Sequence, residues 1–66
     1  MLKIDSVIRA FLDARVGKKI KIIIRNGYQI TGRLDAWDSQ SLLLSVCETD
    51  HLILMDNVSS IIPMED

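Results

Sequence analysis

Apolar and polar positions divide this chain into one helical stretch and five short strands. Around residues 5–15, Ile4, Val7, Ile8, Phe11 and Leu12 recur at three- and four-residue spacing, the repeat of an amphipathic helix. Asp5 or Ser6 can cap its start and Gly17 can stop it in a left-handed turn, while Lys3, Arg9 and Asp13 point away from the stripe. From Lys18 the period changes to two. Ile20, Ile22 and Ile24 alternate with Lys21 and Ile23, a β-branched run that predicts a strand. Asn26-Gly27 predicts a two-residue type I′ hairpin turn, and Tyr28 to Trp37 the return strand, with Ile30, Leu34 and Ala36 on one face. Gly32 inside that strand predicts a bend or bulge. After the turn Asp38-Ser39-Gln40, a third strand runs from Ser41 to Cys47, with Leu42, Leu44 and Val46 on one face. Glu48-Thr49-Asp50 reads as a polar loop, His51 to Met55 as a fourth strand, and Asp56-Asn57 as a short break. Val58 to Ile62 reads as a fifth strand stopped by Pro63.

One helix followed by five short, strongly bent strands is a mostly β fold, a small SH3-like barrel in a single domain spanning 1–66. The helix-first order and the very short last turn favour it over an OB barrel. The last two strands are expected at the sheet edges. Leu52, Ile53, Leu54 and Met55 are apolar on both faces, and apolar edges aggregate unless paired, so they are expected to pair with another copy of the chain.

Length sharpens that expectation. A domain of 66 residues is marginal alone and usually needs a disulfide, a metal or oligomerisation. Cys47 is the one cysteine and His51 the one histidine, which excludes an intrachain disulfide and a Cys/His zinc site; no cofactor or metal is expected. The apolar runs are too short to span a bilayer and no signal-peptide pattern opens the chain. With a free thiol, that predicts a cytoplasmic protein away from membranes.

The net charge of −1 hides a split. All eight basic residues lie in 1–33 with two acids, giving +6, while 34–66 carry seven acids and no base, giving −7. Either a cationic surface is presented to a polyanion, or the two halves neutralise each other; composition alone slightly favours the second.

The stretch Val16-Gly17-Lys18-Lys19-Ile20-Lys21-Ile22, then Asn26-Gly27-Tyr28-Gln29-Ile30-Thr31-Gly32-Arg33-Leu34, Trp37-Asp38 and Leu42-Leu43-Leu44, resembles the first Sm motif. His51-Leu52-Ile53 with Val58-Ser59-Ser60-Ile61-Ile62-Pro63 resembles the second segment as it occurs in bacterial Hfq, and Phe11-Leu12-Asp13 is also similar to Hfq. The resemblance covers nearly the whole chain. It implies an Sm barrel in a homo-oligomeric ring, a hexamer in Hfq and usually a heptamer in archaeal relatives. It also implies single-stranded RNA as partner and, as in Hfq, an RNA chaperone in post-transcriptional regulation.

Carried over residue by residue, the resemblance puts an adenine site at Tyr28, Gln29, Ile30, Thr31 and Ser60. Tyr28 stacks a base with Ile30 behind it, Gln29 and Thr31 read its edge, and Ser60 lines the site. A uridine-type pocket on the helix-bearing face would comprise Ser39, Gln40, Met55, Asp56 and Asn57. There the chain departs from Hfq: Ser39 and Gln40 stand in place of glutamine and the stacking aromatic, and Met55 and Asp56 in place of Lys and His. A carboxylate in that pocket repels phosphate, though Gln40 and Asn57 can still bond a base edge. Arg15, Lys18 and Lys19 fall near the arginine-rich rim of the family and are candidates for phosphate contact, or form a solvated face that keeps the ring soluble.

Trp37 reads as core or interface, His51 as strand surface and Cys47 as an inert buried thiol. No nucleophile–base signature is present, so an enzyme is not expected. The rival is an oligomeric protein-interaction or structural ring that has lost RNA binding, motivated by the departures in the uridine-type pocket and the acidic second half.

Overall fold

A computed structural model describes residues 6–64 of the chain. Helix α1 spans Ser6–Arg15. Leu12 is fully buried, and Ile8 and Phe11 pack beside it on the core, as their spacing requires. Val7 falls on the flank of the stripe and stays 75% exposed. Lys3, Ile4 and the Asp5 cap lie outside the described residues. The helix stops as expected at Gly17, whose φ is +85°. The Gly17 N–H donates to the Leu34 carbonyl at 2.7 Å and the Leu34 N–H to Lys18 at 2.9 Å, so the helix end is bonded directly to the sheet.

Five strands follow: β1 Lys19–Ile24, β2 Gln29–Trp37, β3 Ser41–Val46, β4 Thr49–Leu54 and β5 Val58–Pro63. They form one antiparallel sheet ordered β4-β3-β2-β1-β5. β4 and β5 are consecutive in the chain, separated by the single 3-10 turn Met55–Asn57, yet they form its two opposite edges, as the sequence led us to expect. Two backbone bonds carry the chain between those edges: Met55 N–H to Gln40 O at 2.7 Å, and Arg25 N–H to Asn57 O at 2.8 Å. Inside the curve lie Leu12, Ile20, Ile22, Leu34, Leu42, Leu44, Ile53, Met55 and Val58. Burying each such side chain stabilises the fold by roughly 1.5–3 kcal/mol, before the entropy of ordering is subtracted. Among the described residues no helix is long and apolar enough to cross a membrane.

Several local expectations need correction. The β1–β2 turn is not a two-residue I′ turn. Gly27 N–H bonds to Ile24 O at 2.8 Å, Ile24 N–H to Tyr28 O at 2.9 Å, and at this tip only Gly27 has positive φ, +87°. That is a three-residue loop over Arg25, Asn26 and Gly27 ending in a glycine bulge.

The two-residue turn with both central φ positive is instead at Cys47 (51°) and Glu48 (65°), joining Val46 to its register partner Thr49. Thr49 and Asp50 are therefore strand, not loop, and Cys47 is exposed at a turn tip rather than buried.

The bulge in β2 falls at Asp35, between Leu34 and Ala36, not at Gly32. One extra residue reverses the alternation, so Ala36 is exposed and Trp37 packs on the core. Gly32 serves a different purpose: a Cβ there would lie 2.7 Å from both the Ser45 carbonyl oxygen and Val46 Cγ2, so only glycine lets β3 cross this close.

Finally, Met55 leaves β4 for the 3-10 turn and is 2% exposed.

Candidate nucleic-acid interface

Strand alternation decides which candidate side chains share a surface. Ile20 and Ile22 are wholly buried, so Lys19, Lys21 and Ile23 face outward from β1. Register then fixes their neighbours. Ile23 sits between Gln29 on β2 and Ser60 on β5, and Lys21 between Thr31 and Ile62. Gln29 and Ser60 are thus two strand spacings apart, roughly 9–10 Å, with an aliphatic floor between them. Both are exposed.

Tyr28 stands at the hairpin mouth, 65% exposed. Its backbone is fixed on both sides: its N–H donates to Asn26 Oδ1 at 2.9 Å and its carbonyl accepts from Ile24. Ile30 is turned inward, opposite Ile22, and packs on the core. The adenine-type set therefore divides. Gln29, Thr31 and Ser60 share the outward face, Tyr28 stands at its end, and Ile30 belongs to the other side of β2. Ile23, which sequence reasoning passed over, takes the place beneath the polar pair. Its two-residue spacing from Lys21 was the available signal.

The uridine-type set lies around the β2–β3 turn and the 3-10 turn. Asp38 Oδ1 accepts from Gln40 N–H at 2.8 Å, from Ser41 N–H at 2.9 Å and from Ser41 Oγ at 3.2 Å. These bonds, the Gln40 amide first, hold the Asp38 carboxyl below its ordinary value of 3.8. Asp38 is a turn former with its acceptor already engaged. Ser39, Gln40, Asp56 and Asn57 are exposed, whereas Met55 is core. The Gln40 carbonyl is the acceptor for the Met55 N–H, which brings the two turns together.

The cations separate as well. Arg15 is half-buried, with its guanidinium 5.2 Å from the Phe11 ring centroid and its Nε buried without a hydrogen-bond partner. It lies along the helix end. Lys18 and Lys19 are exposed. Arg33, the register partner of Lys19, donates from Nε to Asp35 Oδ1 at 2.8 Å, and Asp35 with the more distant Asp50 raises its pKa further. An arginine is charged at every working pH, so what matters is that Arg33 already has counter-charges.

Trp37 closes the helix side: its Nε1–H donates to Asp13 Oδ1 at 3.2 Å and Arg9 stands 6.0 Å from its centroid. His51 is an exposed strand residue opposite Leu44. Among the described residues no three His, Cys, Asp or Glu side chains gather to hold a metal ion.

A helix laid against five bent antiparallel strands, with the last two at the outer edges, is the Sm-like fold. A solved structure with the same arrangement is that of the pleiotropic translational regulator Hfq. It matches with a TM-score of 0.83 at 19% sequence identity, over 86% of this chain and 98% of that one. No protein-family model matches the sequence, and no curated protein matches it. At that identity the likeness is one of fold.

Proposed function

We propose that this chain is the subunit of an Sm-like homo-oligomeric ring, a hexamer, that binds single-stranded RNA without chemical conversion. It serves as an RNA chaperone in post-transcriptional regulation in the cytoplasm. The observation that carries the reading is the outward row Gln29–Ile23–Ser60 with Tyr28 exposed at its end, on a fold shared with Hfq. An amide and a hydroxyl flanking an aliphatic surface suit a base edge and a base face together, and an exposed tyrosine offers a second stacking plane. A-rich RNA is the favoured ligand of this face. Assembly is supported by the sheet edges: Leu52 and Leu54 on β4 are 66% and 53% exposed, and Ile62 on β5 is 39% exposed. Such edges are protected by pairing with the complementary edge of another copy.

A second reading has a specific observation in its favour. Met55 is buried in the core and Asp56 is an exposed carboxylate beside it, so the uridine-type set carries neither a cation nor an aromatic. A ring using this region for protein contacts alone would have the same features.

Titration of labelled oligo-A and oligo-U at low and high salt, with mass measured by light scattering, separates the two. Salt-sensitive oligo-A binding by a ring, weakened about 5- to 150-fold in Tyr28→Ala, supports RNA recognition on this face. A ring that binds neither oligonucleotide at low salt overturns RNA recognition and supports the protein-contact reading.

A further inference from the structure

We propose that the outward face of β1 is a track for the phosphodiester backbone of single-stranded RNA, with Lys19 and Lys21 as its phosphate ligands. The inference rests on the RNA-binding reading above and names the groups that would hold the charge. Lys19 and Lys21 alternate with the fully buried Ile20 and Ile22, so both project from the outer side of the sheet, two residues or about 6.6–6.8 Å apart along the strand. In register they face Arg33 and Thr31 on β2. Arg33 is engaged by Asp35, whereas no acid pairs with Lys19 or Lys21 among the described residues. The described part of β5 beside them presents Ser60 and Ile62 and carries no acid.

Two like charges on one strand face are held against mutual repulsion, which a bound anion relieves. Further along the same face lies Ile23 between Gln29 and Ser60. Cations therefore occupy one end of the strip and base-reading groups the other. A linear polyanion with exposed bases fits that order, with Thr31 Oγ able to donate to a phosphate oxygen on the way. Arg15 takes no part, since its guanidinium lies over Phe11.

The test is the salt dependence of binding for a short labelled oligo-A, measured by anisotropy on the whole chain. For a single strand the slope of log K against log salt falls by about 0.7 for each phosphate contact removed. Lys19→Gln with Lys21→Gln is expected to flatten the slope by about 1.4 per subunit engaged. Lys19→Arg with Lys21→Arg is expected to retain it, which controls for folding. Tyr28→Ala is expected to lower affinity at unchanged slope. A glutamine pair that binds with the unmodified slope overturns the track while leaving RNA binding intact. Absence of oligo-A binding by the unsubstituted chain at low salt overturns both. A flattened slope in the glutamine pair together with an indifferent Tyr28→Ala upholds the track and removes Tyr28 from the base site.

Discussion

Replacing Gly32 by alanine tests the sheet geometry at its tightest crossing. The new Cβ would stand 2.7 Å from the Ser45 carbonyl oxygen and 2.7 Å from Val46 Cγ2. Relaxed contacts of this kind lie near 3.5–4.0 Å, so β3 has to retreat by roughly 0.8 Å or more. The obstacle on one side is backbone, which no rotamer change removes. Retreat strains the adjoining Arg33–Ser45 register pair and opens the packing beneath Leu44. Overpacking of this sort costs about 1–3 kcal/mol. In a domain of this length each kcal/mol lowers Tm by roughly 4–8 °C, a large effect against a marginal total.

Gly27 supplies the contrast. It has φ +87° with nothing within 4 Å of its Cβ position, so Gly27→Ala meets only the left-handed backbone penalty, about 1–2 kcal/mol. Asparagine tolerates that conformation. Gly27→Asn should therefore recover part of the loss, while Gly32→Asn should be worse than Gly32→Ala. Thermal and urea melts read all four variants at one fixed protein concentration, because Tm depends on concentration for any chain that assembles. A Gly32→Ala protein melting within a degree or two of the parent would refute the close crossing. Recovery by asparagine at position 32 would refute the steric argument.

Other outcomes follow from the same structure. The folded Asp38 carboxyl titrates below its ordinary 3.8, so its contribution is present above that value and is lost as pH falls through the depressed one. Asp38→Asn, which keeps one acceptor oxygen, should flatten the acid limb of Tm against pH; an unchanged limb would contradict the turn assignment. Leu52→Lys with Leu54→Lys should reduce the mass seen by light scattering, because it places charge on the β4 edge while leaving Ile53 in the core; a ring of undiminished size would show that this edge is not the contact. Cys47 should react with a thiol reagent without denaturant, as its exposure at the turn tip requires; labelling only after unfolding would contradict it.

Periodicity carried the architecture where one rule acted alone. Ile20 and Ile22, or Leu42 and Leu44, alternate without interruption, and the structure buries all four. Leu52 to Met55 announced an edge that is apolar on both faces, and the exposures alternate accordingly. Legibility failed where tertiary geometry overrode a local signal. Asn26-Gly27 favours a I′ turn, yet the register of Ile22 with Ile30 needs one more residue in the loop. Cys47-Glu48 has no turn signature, and is forced into left-handed φ because Val46 and Thr49 must pair. The Asp35 bulge leaves no mark in composition. The candidate site was half legible. Gln29, Thr31 and Ser60 do share a surface, but alternation removes Ile30 from it. Lys21 joins Lys19 only once the strand's inner face is known.

That bulge decides how the helix is fastened. If Asp35 paired with Leu43 as an ordinary ladder residue, alternation would send the indole of Trp37 outward and the methyl of Ala36 inward. The aromatic ring would then lose both its hydrogen bond to Asp13 and its stacking cation, Arg9. Docking of α1 on this side thus depends on Asp35 standing outside the ladder. Deleting Asp35 would leave Ala36 and Trp37 on their present partners, Leu43 and Leu42, and so keep the indole against the helix.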